Sequence, residues 1–301
     1  MPYDSTQQAG REDAKVARPL GSAGVSLEIT PGVAAKIPSF ADLLPSGAAV
    51  YVTSLPGTDR AEAMAVSRRL ARDGLRPVPH LAARGLKSRA DLADWLDRAV
   101  SEGGARDIML IAGSNDRPAG PYRDTLAVLD SGLVETAGLR GFGVAGHPEG
   151  HPNAGPAILL EALRRKQAFA AAHGLEAWIV SQFAFSATPI LSWALALTDA
   201  GVTLPIRVGL PGPAKPATLI TYARQCGVGN SLRVLTRRPD VVAGLLRAWT
   251  PDSIVGDLER ARDRGAAGMV SGVHLFPFGG FARTAAWAVA HLNRPNERAE
   301  T

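Results

Sequence analysis

Short apolar runs alternate with amphipathic stretches along almost the whole chain. The runs cover residues 25–30, 48–53, 76–82, 107–112, 141–146, 177–183, 206–210 and 269–275. Apolar runs of this length, punctuated by Gly and Pro, read as strands buried on both faces. Between them, residues 60–73 place Ala, Met, Val and Leu at helical spacing, and 88–101 repeat the pattern. Residues 156–173 form a longer stretch that carries Arg164, Arg165 and Lys166 and stops at Gly174, a helix-ending signal. About eight such units predict a (β/α)8 barrel. The alternative, a doubly wound sheet, needs fewer strands and usually a Gly-rich first turn. Gly227-Val228-Gly229 is the one weak match, and it follows a helix pattern instead.

Two stretches depart from even spacing. The first unit is short, with residues 40–44 as little more than a turn of helix. Residues 227–265 add material between runs seven and eight, in two helix-like pieces at 239–250 and 251–264. Residues 1–24 are polar and mixed in charge, lack the apolar core of a signal peptide, and read as a disordered leader. A single barrel is expected over 25–295, with a loose tail at 296–301.

Composition narrows the class of function. Apolar residues make up 46% and charged residues 20%, as in a globular enzyme. The net charge of +5 comes from dispersed arginines. Without a dense basic block or aromatic-basic interleaving, no nucleic-acid partner is expected; a basic rim suits an anionic ligand. Cys226 is the single cysteine, which excludes an intrachain disulfide and fits a reducing cytoplasm. No apolar run is long enough to span a membrane. A homo-oligomer is compatible with the sequence.

Polar residues gather where the runs end, and in a barrel all those ends meet at one mouth. They are Glu28, Thr53, His80, Ser114-Asn115-Asp116, His147 with Glu149 and His151, Gln182, and His274 leading to Phe276. Each has a plain structural use: a carboxylate inside an apolar run is neutralised by a cation, or is an acid tuned by burial. His80 and Gln182 can simply satisfy backbone, and Asp116 can start a turn. His147 and His151 stand four apart, but Pro148 and Pro152 make that segment a loop, so no metal site is expected. A carboxylate-pair hydrolase using Glu28 with Asp116 or Glu149 is possible on the barrel alone.

The line Ala145-Gly146-His147-Pro148-Glu149-Gly150-His151-Pro152 resembles the Ala-Gly-Tyr-Pro-Glu/Lys-Gly-His-Pro motif of methylenetetrahydrofolate reductases, flavin-dependent (β/α)8 barrels. Pro79-His80-Leu81, Ser181-Gln182-Phe183 and His274-Leu275-Phe276 support it in the same order, over about 25–293. The resemblance implies hydride exchange between FAD and the one-carbon bridge of a tetrahydrofolate, with NADH or NADPH as electron donor. It implies Glu28 as general acid, its pKa raised by an apolar setting, and Asp116 and Gln182 as further catalytic residues. Thr53, His80, Asp116, His147, His151, Arg165 and Lys166 match flavin-contacting positions, the last two at the phosphates. Gln182, Tyr222, Phe276 and Arg283 match the folate side. The chain departs from the family at Leu27-Glu28-Ile29-Thr30-Pro31-Gly32, at Ser114-Asn115 (usually Arg-Gly), at His147 (usually Tyr) and at Phe276 (usually Tyr). A folate-binding barrel without redox chemistry is the rival expectation.

Overall fold

The structure, a computed structural model, describes residues 26–54, 57, 59–225 and 249–292. Eight parallel strands close into a barrel in sequence order. They are β1 (Ser26–Ile29), β2 (Ala49–Val52), β3 (Arg76–Ala82), β4 (Asp107–Ile111), β5 (Gly141–Gly146), β6 (Glu176–Ser181), β7 (Ile206–Pro211) and β8 (Val270–Phe276). All eight apolar runs therefore become strands, and the doubly wound alternative falls. The described helices are α1 (Pro31–Ala34), α2 (Arg60–Arg72), α3 (Arg89–Ser101), α4 (Thr125–Leu129), α5 (Pro156–His173), α6 (Ala187–Asp199), α7 (Pro216–Gln225), α8 (Asp252–Asp263) and α9 (Phe281–Leu292). The first unit differs from expectation: its helix is α1, led by Pro31 and capped by Thr30, whereas residues 40–44 form a turn. Cys226, residues 239–248 of the helix expected at 239–250, the leader and the tail lie outside the described residues, and Trp249 bridges Ala214 instead of being helical. No described helix is long and apolar enough to cross a membrane.

Local signals fix the helix ends. Asp59 and Ser88 accept backbone N–H groups at the starts of α2 and α3. Gly174 ends α5 in the left-handed region at φ 65°.

The strand period of two divides each run between two cores. Leu27, Ile29, Val50 and Val52 point out against the helices. Tyr51, Val78, Met109 and Val180 fill the interior. Trp178 lies opposite Gly143, where a Cβ would stand 2.8 Å from its indole nitrogen. That indole N–H donates to the Tyr51 hydroxyl at 2.8 Å, so two large polar rings share the interior at no unpaired cost. At the amino-terminal end Arg140 forks onto buried Asp107, beside Arg76 and Arg207. The seam between first and last strands is thin: β1 and β8 pair only at Leu27↔Leu275.

Candidate active site at the barrel mouth

Ser26 and Glu28 face inward because Leu27 and Ile29 face out. The Glu28 carboxylate meets two imidazoles from opposite neighbours. His80 Nε2 lies 3.7 Å and His274 Nε2 3.5 Å from the same Oε1. Both contacts are longer than an ordinary hydrogen bond, and neither Nε2 has another partner among the described residues. His274 is fully buried, its Nδ1 held by Ser26 Oγ at 2.6 Å. About a fifth of the Glu28 side chain (20%) reaches solvent at the mouth.

Burial, the largest influence, pushes Glu28 up, but the His274 contact and the charges that His80 and His274 can carry outweigh it, and the carboxyl lies below its usual range. The expected upward tuning is therefore corrected. The run was apolar in sequence, but its inward neighbours are imidazoles. Burial pushes His80 down, against the pull of Glu28.

A cavity of about 440 Å3 opens beside the mouth, between the β4 and β5 ends and helices α4 to α6. His147, Lys166, Asp124 and Trp193 line it together with leucines of α5. Lys166 is 7% exposed and has no ion pair among the described residues. Burial draws its ammonium down to about 8, with Asp124 opposing. His147 is pushed to about 4 by burial, His151 and Lys166, so it is neutral at pH 7. The His147 and His151 rings meet edge to face at 4.8 Å. Trp193 presses on Gly146, where a Cβ would come within 2.6 Å of its ring. The pocket thus offers a buried ammonium that has no ion pair among the described residues, among apolar and aromatic walls with the Asp124 carboxylate in the same lining. A phosphate and a flat ring fit that chemistry, and Lys166, His147 and Trp193 are the groups placed to hold them.

On the other side of the mouth, rings run outward from the barrel interior. His274 meets Phe276 at 5.1 Å, Phe276 stacks with Phe278, and Phe278 stacks at 4.2 Å on Tyr222 of α7. Phe278 thus joins Phe276 and Tyr222 in one row of rings. Gln182 stands at the β6 end, with Oε1 accepting from Phe183 N at 3.0 Å and its NH2 without a partner among the described residues. Thr53 is buried, its hydroxyl donating to the Ile29 carbonyl.

Three expected residues are exposed. Arg165 lies on the outer face of α5 and pairs with Asp130 at 3.1 Å, because it precedes Lys166 by one residue and one helical step turns it about 100° away. Asp116 is exposed in the loop after β4, where Arg84 binds its carbonyl and not its carboxylate. Arg283 is exposed in the first turn of α9, without a partner among the described residues. No group of three potential metal ligands gathers among the described residues.

Ser26, Tyr51, Asp124 and Trp193 were not singled out from sequence, and His274 was read only as a polar strand end without a role. For Ser26 and Tyr51 the signal existed: they stand two residues before Glu28 and Thr53, so they share their inward face. Asp124 and Trp193 come from helices, and no motif marks them. Compared with models of known protein families, the chain matches none.

Proposed function

We propose that the protein is a flavin-dependent oxidoreductase interconverting 5,10-methylenetetrahydrofolate and 5-methyltetrahydrofolate, with FAD as cofactor and NADH or NADPH as electron donor. The observation that carries this reading is the Glu28 carboxylate facing two imidazoles at the strand ends, and the pocket at the β4 and β5 ends with its buried Lys166 supports it. FAD, when bound, supplies hydride exchange with the one-carbon bridge. Glu28 exchanges the proton at folate N10, giving it when the bridged ring opens and taking it when the ring closes. Lys166 holds a cofactor phosphate, and the apolar pocket walls exclude water around it. The Gln182 amide and the Phe276–Tyr222 wall orient the folate. The single cysteine supports a cytoplasmic site of action.

The visible spectrum of the purified protein, with and without added FAD, tests the proposal. Flavin absorbance that bleaches anaerobically on adding 5-methyltetrahydrofolate is expected. Protein that binds no flavin and oxidises no methyltetrahydrofolate with an artificial acceptor overturns it. The outward turn of Arg165 favours the second reading, a barrel that binds folate without redox chemistry. A colourless protein that binds methyltetrahydrofolate unchanged selects that reading.

A further inference from the structure

Ser26 is fully buried, and its hydroxyl makes one side-chain hydrogen bond among the described residues, to His274 Nδ1 at 2.6 Å. A serine hydroxyl can donate or accept. If it accepted from an Nδ1–H, its own hydrogen would be buried without an acceptor, which costs free energy. The hydroxyl therefore donates, Nδ1 accepts, and a neutral His274 carries its proton on Nε2. That nitrogen faces Glu28 Oε1 at 3.5 Å and has no other partner. An Nε2–H there favours an ionised oxygen over a protonated one.

We propose that Ser26 fixes His274 as the Nε2–H tautomer and that His274 is a positioning residue holding Glu28 as the carboxylate, set to take a proton from its ligand. The proposal rests on Glu28 being the proton-exchanging group of the proposed function. It adds a direction. The half-reaction that removes a proton from folate N10, oxidation of the methyl form, finds Glu28 already a base at neutral pH. The reverse half-reaction draws on its minor, protonated form. The groups facing Glu28 are few. His80 comes from β3 and His274 from β8. Tyr51 from β2 meets both imidazoles edge-on, and its hydroxyl is engaged by Trp178 from β6. From β7 the facing residue is Gly209, which packs against Ser181 and Phe276.

The test is nuclear magnetic resonance on the full chain labelled with 15N-histidine and 13C-carboxyl glutamate, on Ser26→Ala, His274→Gln and His274→Leu, without folate. In the native protein His274 is expected to show a protonated Nε2 and an accepting Nδ1. Ser26→Ala is expected to mix the tautomers. His274→Leu is expected to raise the Glu28 ionisation midpoint by about one pH unit or more, because burial then acts with one opposing group fewer. His274→Gln, which keeps an N–H donor, is expected to recover part of that shift. In single-turnover flavin reduction by methyltetrahydrofolate, the acid limb is expected to move up in pH alongside the midpoint. An Nδ1–H tautomer in the native protein overturns the proposal. So does a Glu28 midpoint unchanged in Ser26→Ala and His274→Leu; if the leucine variant does not fold, the tautomer mixture in Ser26→Ala decides. The tautomer result stands even if folate is not the substrate, and methyltetrahydrofolate turnover stands even if the tautomer is the other one.

Discussion

Lys166→Met should make the cofactor-free protein more stable and its cofactor binding weaker. Lys166 is 7% exposed and unpaired among the described residues, and burial lowers its pKa from 10.5 to about 8. A depression of about 2.5 units corresponds to about 3 kcal/mol spent, at neutral pH, in keeping the ammonium charged inside the fold. The sign follows from proton counting. Below pH 8 both states hold the proton and the whole penalty applies. Between about 8 and 10.5 the unfolded chain holds one proton more, so stability climbs by about 1.4 kcal/mol per pH unit. Above that range the penalty is gone. Methionine matches the lysine stem in length and removes the charge. Urea unfolding of the cofactor-free protein should show Lys166→Met ahead of the native chain by about 2–3 kcal/mol at pH 7, after some loss of packing, and level with it near pH 10.5. FAD affinity, followed by flavin fluorescence, should fall at the same time. A variant no more stable than the native protein at pH 7, with the same pH dependence, would refute the argument that the ammonium waits in its pocket for an anion.

Two further outcomes follow from other parts of the barrel. Glu28→Gln should lower folate turnover by about 10²–10⁴-fold while flavin reduction by NADH or NADPH persists in stopped flow; equal losses in both half-reactions would place Glu28 outside proton exchange. Asp107→Ala leaves Arg140, Arg76 and Arg207 without their buried carboxylate, and should cost about 3 kcal/mol or more in urea unfolding, with a cost under about 1 kcal/mol contradicting the role of this ion cluster.

The barrel was legible because each strand is an unbroken apolar run, and such runs need cover on both faces. Positions read by strand end also held where the backbone alone decides placement, as with Glu28, His80, Gln182 and Phe276. Arg165 failed because a helix separates neighbours by about 100°, and the sequence did not say which of two basic residues turns inward. Asp116 is exposed because the loop after β4 sets its own direction. The setting of Glu28 was misread for a different reason. Its sequence neighbours, Leu27 and Ile29, are apolar but outward, and its spatial neighbours come from strands 52 and 246 residues away. A charge environment assembled over that separation leaves no local trace.

The Ser26–His274 hydrogen bond spans 248 residues and crosses the seam where β1 and β8 share one backbone register pair. Joining such distant parts of the chain is the slow, entropically costly stage of building a closed sheet. The imidazole that steers Glu28 therefore takes its place only when the two ends of the sheet have met. A chain missing β8, or still being synthesised, holds Glu28 and His80 but not the latch. On the proposed function, chemical competence would double as a check that the circle has closed.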